Sequence, residues 1–166
     1  LAAGCGAIGL TGSLQPQVWY SRVCYGLETQ LKMAVRPVCH SGEMCAKSPW
    51  RLTDAVESWS WSDCEGREAS VEVYTEDAFV ELYLNDRKIG RKRPKKGICR
   101  FTLPWEPGTL RAESFDVYGN QKGICRLQSA SEAKRLALYA EQTVLDADGQ
   151  SLAYLWISVE DEKGIP

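Results

Sequence analysis

The sequence lacks most of the side chains from which metal centres and covalent frameworks are built. It has a single histidine, His40, and no Cys-x-x-Cys pair among its seven cysteines. Zinc sites use closely spaced Cys and His ligands, and disulfide frameworks usually show an even number of cysteines. We therefore predict no metal, no cofactor and no disulfide framework. Buried, reduced thiols in a cytoplasmic protein are the favoured interpretation.

Neither a large excess of one charge nor a long apolar run is present. The formal net charge is -2, so the sequence as a whole does not attract nucleic acid or acidic membranes. No apolar run reaches the ~18 residues that a membrane-spanning helix needs. One basic segment, residues 87–96, contains no interleaved aromatic residues of the kind that stack on bases. We expect neither nucleic acid nor membrane as a partner, and we interpret the segment as a solvated hairpin edge that blocks strand aggregation.

What the sequence does contain is a series of short alternating apolar runs between residues 69 and 116. Val71 and Val73 alternate with polar residues, and the same period returns in 80–84, 99–103 and 110–112. Tight-turn residues separate these runs, including Asn85-Asp86 and Pro107-Gly108. A period of two punctuated by such turns is typical of an antiparallel sheet. The segment therefore predicts a β-sandwich core.

The ends of the chain carry different patterns. Trp19 and Val23 recur at helical spacing between Pro16 and Gly26, which predicts a short helix with an apolar face that another part must cover. Residues 153–159 form a last strong strand pattern, which begins one strand more than a closed sandwich needs. We therefore expect the intact protein to continue beyond this chain.

Two tryptophans share one face of a predicted strand at residues 56–61. Indole rings can stack on the apolar face of a sugar, and they can equally be large core residues. The spacing of Trp59 and Trp61 favours the core and leaves the sugar platform open.

Several motifs, taken in order, resemble one known arrangement. They are ESWSW at 57–61, VEVYT at 71–75, VELYLNDRKIG at 80–90, PWEPGTLRA at 104–112 and DGQSLAY at 148–154. The first four resemble the domain that follows the barrel in bacterial β-galactosidases of glycoside hydrolase family 2, and the segment 148–154 resembles the opening of the next immunoglobulin-like domain in the same enzymes. Upstream, residues 6–12 resemble the last barrel loop, and Trp19-Tyr20 resembles a helix that closes the barrel.

The resemblance implies a mainly β fold: an immunoglobulin-like antiparallel β-sandwich with a short N-terminal helix left over from a (β/α)8 barrel. It implies three parts. Residues 1–50 would be the residual end of the catalytic barrel, 51–142 the sandwich, and 143–166 the start of a further immunoglobulin-like domain. The implied partner is the catalytic barrel of the parent chain, and the implied location is the bacterial cytoplasm, with a secreted or periplasmic location left open.

The same resemblance implies a parent enzyme that hydrolyses β-galactosides or related β-glycosides by a retaining mechanism with two carboxyl groups. In the family both lie on earlier barrel strands, and the acid/base usually follows an asparagine. No Asn-Glu dipeptide occurs here. We therefore assign no catalytic residue, and four glutamates are interpreted as packing or turn residues: Glu28, Glu57, Glu81 and Glu106.

The expected function is thus a non-catalytic accessory or spacer domain. Two alternatives stay open. One is a carbohydrate-binding module that uses Trp59, Trp61 or Trp105, with carbohydrate as the partner. The other is an adhesin-like or oligomerisation module that uses strand edges. Solvent exposure of the tryptophans would favour the first alternative, and a large paired edge or apolar interface would favour the second.

Overall fold

The computed structural model describes residues 7–9, 12–40 and 52–166. Within them, one α-helix, α1 (Pro16–Cys24), and a 3-10 turn, Val38–His40, accompany nine strands. The strands are β1 (Lys32–Val35), β2 (Glu68–Tyr74), β3 (Phe79–Leu84), β4 (Arg87–Lys92), β5 (Ile98–Pro104), β6 (Thr109–Phe115), β7 (Gln121–Gln128), β8 (Arg135–Ala140) and β9 (Leu155–Glu160). The predicted mainly β fold with one short helix is confirmed.

Seven strands form an antiparallel sandwich in the first of two compact units, Leu1–Ser129. One sheet has the order β1-β2-β5 and the other the order β4-β3-β6-β7. Buried residues alternate with exposed ones along β5, so that Cys99, Phe101 and Leu103 point into a core shared with Leu82 and Leu110 of the opposite sheet. Burial of this alternating face is what drives the two sheets together. The predicted immunoglobulin-like sandwich is therefore confirmed.

The turn between β3 and β4 has the backbone that its sequence predicts. Asn85 and Asp86 both have a positive φ, of 50° and 62°, as a tight hairpin turn requires. The Asn85 side chain also holds the next turn, because its Nδ2 donates to the Pro107 carbonyl at 3.0 Å and its Oδ1 accepts from the Thr109 amide at 2.9 Å. A Cβ at Gly108 would lie 1.8 Å from that Oδ1, so only glycine allows the approach.

Helix α1 covers the outer face of the first sheet. Trp19 and Val23 of the helix are buried in a second apolar cluster with Ala34 of β1, Tyr74 of β2 and Ala55. The first sheet is thereby buried on both faces, by the second sheet on one side and by α1 on the other. The first sheet therefore covers the apolar face of α1, as the sequence predicted. A helix this short is stable only when such a face is packed.

The second compact unit, Ala130–Pro166, contains the antiparallel pair β8 and β9. Asp161 organises its end, accepting hydrogen bonds from the amides of Ser131, Lys163 and Ile165, and these bonds lower the pKa of Asp161 to about 2. Most apolar side chains of the two strands are exposed, including Leu136 and Ile157 at 74% and 73%. The compact units divide at Ser129, whereas the predicted domain boundary lies at 142/143. The domain assignment stays a prediction.

We expect the thiols to react in an order set by burial. The five cysteines among the described residues are free, with Cys24 and Cys39 exposed, and burial raises the pKa of Cys99 to about 11 and that of Cys125 to about 12. Because the thiolate is the nucleophile, alkylation near pH 8 should label Cys24 and Cys39 well before Cys99 and Cys125. Peptide mass mapping of partly alkylated protein measures the order.

The same protein in denaturant should titrate close to seven thiols with or without reductant. A large deficit without reductant would contradict the reduced state, and first labelling of Cys99 or Cys125 would contradict the burial argument.

Candidate functional site

Two of the three tryptophans proposed to bind sugar are core residues. Trp59 is fully buried and its indole N–H donates to the Glu106 carbonyl at 3.0 Å. Trp105 is 5% exposed and its indole N–H donates to the Trp59 carbonyl at 3.2 Å. Their ring centroids lie 6.0 Å apart. The Trp105 ring therefore holds the backbone of Trp59, the Trp59 ring holds the backbone of Glu106 next to Trp105, and in this arrangement neither ring presents a face to a ligand.

Trp61 differs from the other two. It is half-buried and packs against the same core, and its buried indole nitrogen has no hydrogen-bond partner in the described part of the chain. The structure thus leaves exposed ring surface only on Trp61 of the three residues. A sugar-binding role for Trp59, Trp61 and Trp105 stays a prediction.

The four glutamates excluded from catalysis lie on separate elements, and three of them are ion-paired. Glu81 contacts Lys88 at 2.6 Å, Glu106 contacts Arg87, and Glu28 contacts Arg22 at 3.5 Å. Glu57 is exposed, and desolvation raises its pKa against the lowering effect of Lys32.

A buried carboxylate that the sequence did not single out lies at the centre of the first sheet. Glu72 of β2 is directly opposite Arg100 of β5 and Ala34 of β1, on the face that α1 covers. It is fully buried, and its carboxylate accepts hydrogen bonds from Arg36 at 3.1 Å, Arg100 at 3.2 Å and the Tyr74 hydroxyl at 2.7 Å. One side chain therefore joins β2, β5 and the segment after β1.

The partners of Glu72 decide its protonation state. Burial alone would raise its pKa, but hydrogen bonds from Tyr74 and Thr53, the charge of Arg36 and the bond from Arg100 outweigh it, and the pKa is lowered. Burial and the neighbouring carboxylate raise the pKa of Tyr74. Glu72 is therefore an ionised acceptor at neutral pH, with no proton to give. Its role is to hold the strands together.

Two adjoining cavities open beside this network. The first has a volume of about 340 Å³ and is lined by Gln17, Tyr20, Leu52, Thr53, Glu72, Tyr74, Lys95, Lys96, Ile98 and Arg100. The second, of about 430 Å³, is lined by Lys92, Arg93, Lys95, Ile98, Cys99 and Arg100. We call the two together the basic cleft. The basic segment 87–96 is the sequence feature that could have pointed to this cleft. The residues that line the cleft could not be predicted without knowing how β4 and β5 are placed.

Within the described ranges, no three His, Cys, Asp or Glu side chains are grouped so that they could hold a metal ion. Nor is any helix in those ranges long and apolar enough to cross a membrane.

We predict that Trp59 and Trp105 are shielded from solvent. Acrylamide should quench the fluorescence of the folded chain only in part, and Trp59→Phe should remove part of the protected emission. Truncation of Trp59 to Ala should cost about 3–5 kcal/mol of folding free energy because it empties a large core volume. Full quenching of the native protein, relieved by a galactoside, would instead support a sugar platform.

We predict that Glu72→Gln lowers the free energy of unfolding at pH 7 by about 2–3 kcal/mol, the usual worth of hydrogen bonds to a charged group. Glu106→Gln is the matched control, since its pair with Arg87 is exposed and should be worth less than about 1 kcal/mol. Urea denaturation of both variants measures the difference.

The pKa of Glu72 is lowered on folding, so its contribution is complete above the unfolded-state pKa of about 4.3 and is lost as the pH falls through the folded-state pKa. The gap between wild type and Glu72→Gln should therefore close in acid. A gap that stays constant with pH would contradict the charged network.

This chain is similar to one protein family and to one characterised enzyme. The family described as a domain of unknown function, DUF4982, matches residues 66–122. The β-galactosidase BoGH2A of Bacteroides ovatus is 32% identical over 114 residues, which are 64% of this chain and 12% of that protein. This chain therefore corresponds to a small portion of a much longer protein.

Solved structures extend the match. A glycosyl hydrolase family 2 member from Bacteroides cellulosilyticus is 28% identical, with a TM-score of 0.83 over 98% of this chain and 22% of that chain. A β-glycosidase from Bacteroides vulgatus shares the fold at 19% identity, with a TM-score of 0.68 over 97% of this chain and 18% of that one. The chain is thus homologous to a family 2 β-galactosidase over part of its length, and it matches glycoside hydrolase family 2 structure over nearly all of it.

Proposed function

We propose that this chain is a non-catalytic structural part of a family 2 glycosidase whose catalytic barrel hydrolyses β-galactosides or related β-glycosides. The observation that carries the proposal is the attachment of α1 to the sandwich. Trp19 and Val23 are buried against the first sheet, and the Glu72 network lies under the same helix. The sandwich and α1 are therefore joined as one rigid unit.

The partner in this proposal is the barrel of the same parent chain. The chain spans 12% of the length of BoGH2A and 22% of that of the family 2 structure from Bacteroides cellulosilyticus. The substrate and the activity would belong to the whole protein, and the contribution of this portion would be mechanical. It would support the barrel and set the spacing to later domains, in a bacterial cytoplasm that keeps its thiols reduced.

The geometry favours this function over the two alternatives. A carbohydrate-binding module that uses the three tryptophans needs their rings exposed, and Trp59 and Trp105 are buried. For the adhesin-like alternative, the β4 edge of the sandwich carries Arg87, Lys88, Arg91 and Lys92, and such charges oppose strand addition at that edge.

We predict that the isolated chain releases no nitrophenol from a nitrophenyl galactoside above background between about pH 4 and pH 8. A retaining mechanism needs two carboxyl groups about 5 Å apart on rigid elements, and the most buried glutamate here, Glu72, is occupied by two arginines and a tyrosine. Turnover that co-purifies with the chain, and that disappears on changing Glu28, Glu57 or Glu106 to Gln, would refute the proposal.

Hydrogen exchange tests the attachment of α1 to the sandwich directly. If α1 is a fixed part of the sandwich, its amides should exchange with deuterium at a rate close to that of the β2 amides, because both open in the same unfolding event. Rapid exchange in α1 alone would show a loosely attached helix, and the argument for one rigid unit would fail.

A further inference from the structure

The basic cleft is lined by five cations, of which four have no carboxylate of the described residues within ion-pair distance and the fifth, Arg100, is paired with Glu72. We propose that it is a secondary binding site for an acidic oligosaccharide, whose carboxylate or sulfate groups lie against the cations. That the ligand is a carbohydrate rests on the proposed function, whereas its negative charge follows from the cleft itself. The proposed structural function does not depend on this site.

The charges around the cleft divide the basic segment into two halves. In the first half, Arg87 pairs with Glu106, and Lys88 and Arg91 lie 2.6 Å and 3.6 Å from Glu81. In the second half, no carboxylate of the described residues is within ion-pair distance of the basic side chains, which are Lys92, Arg93, Lys95 and Lys96. The excess positive charge is thus confined to residues 92–96.

Protection of a strand edge does not account for this second half. β4 ends at Lys92, so Arg93, Lys95 and Lys96 lie beyond the edge that charges would protect. Among the described residues that line the second cavity, four carry a positive charge and none carries a negative one. The first cavity adds Glu72, but Arg36 and Arg100 already balance that carboxylate. An anion is the ligand that these walls attract.

The turn that carries the two lysines is held in place. The Lys95 amide donates to the Ile98 carbonyl at 2.9 Å, and Lys96 and Gly97 have φ values of 53° and 74°. A Cβ at Gly97 would be 3.2 Å from Val23 and 3.4 Å from Cys24 of α1, so the turn rests directly on the helix. The Cys24 thiol also donates to the Lys96 carbonyl at 3.7 Å. The backbone that carries Lys95 and Lys96 is therefore fixed.

Lys96 is an unusual residue for its position. A left-handed backbone favours Gly, Asn or Asp, and a long side chain there carries a conformational cost. A charged residue at a strained position points to function rather than to stability. The Glu76 carboxylate adjoins this turn, since its Oε1 would be 2.8 Å from a Cβ at Gly97, and Glu76 lines neither cavity.

Apolar surface accompanies the charges. Ile98 lines both cavities and Tyr20 lines the first, so the C–H face of a sugar ring has apolar neighbours. Aromatic rings also restrain the cations, because Arg93 lies over Phe79 at 4.5 Å and Lys92 over Phe101 at 5.0 Å. Volumes of about 340 Å³ and 430 Å³ fall within the range of small-molecule sites.

The test is an NMR and calorimetric titration of the full chain. The probes are tetragalacturonate, a sulfated chondroitin tetrasaccharide, neutral galactotetraose, inorganic sulfate and inorganic phosphate. We expect one of the two acidic tetrasaccharides to bind and to shift the amides of Gly97, Ile98 and Cys99, with affinity falling several-fold between roughly 0.05 M and 0.5 M NaCl. Which one binds distinguishes carboxylate from sulfate recognition, and the neutral tetrasaccharide should not bind.

Substitutions locate the site. Arg93→Ser with Lys95→Ser should weaken binding about tenfold or more, since two charge-assisted contacts are lost. The matched control, Lys122→Ser with Lys163→Ser, removes the same charge elsewhere and should leave the affinity within about twofold. Lys96→Asn should raise the melting temperature, because Asn suits the left-handed backbone, and still weaken binding.

Three results would overturn the proposal. Equal binding of neutral and acidic tetrasaccharides would remove the anionic specificity. Equal weakening by the control pair would reduce the effect to overall charge. Binding of inorganic sulfate or phosphate alone, with neither tetrasaccharide bound, would leave only an anion site. These failures are distinct from failure of the proposed function, which the nitrophenyl assay and the exchange of α1 test without reference to the cleft.

Discussion

The carboxylate of Glu72 is the constraint on which the first half of the structure depends. A charge removed from water is costly unless it is fully hydrogen-bonded and paired, and the cost falls on whichever elements supply the partners. Here the partners come from Arg36 after β1, Tyr74 within β2 and Arg100 in β5. Any displacement of these strands leaves a buried charge unsatisfied. The network therefore fixes the order and register of the first sheet more strictly than apolar packing could.

Apolar packing adds to the hydrogen-bonded network of Glu72 on both faces of the first sheet. The inner face of the first sheet joins the sandwich core, and its outer face receives α1. Since a buried ion pair is often no more stabilising than an apolar substitute, the role of Glu72 is better understood as specificity of arrangement. That role agrees with a portion of a glycosidase whose proposed task is to hold a fixed geometry.

Much of the fold could be predicted from the sequence. The period of two in the sequences of β2, β3, β5 and β6 indicated the sandwich, and burial alternates in this way along β5 and β6. The spacing of Trp19 and Val23 indicated α1. The interpretation of 87–96 as one solvated edge was incomplete. Lys92 ends β4, residues 93–96 lie beyond the strand, and the four cations of residues 92–96 border cavities whose form depends on how β4 and β5 are placed in two different sheets.

Glu72 shows why the remainder could not be predicted. In the sequence it belongs to the polar face of an alternating strand, which ordinarily means solvent. The helix that covers that face is distant in sequence, and the contacts with residues 36 and 100 depend on the register of three strands. Periodicity reports which residues share a face, and it does not report what lies against that face.

The hairpin of β8 and β9 has a consequence for handling the chain in solution. A two-stranded ribbon is only marginally stable in water by itself, and this one exposes Leu136, Leu138, Ile157 and Val159. Apolar ribbon surfaces of this kind pair readily with copies of themselves. Self-association, rather than loss of the fold, would then limit the concentration that the chain reaches in solution. The surface responsible lies in residues 130–166 and not in the sandwich.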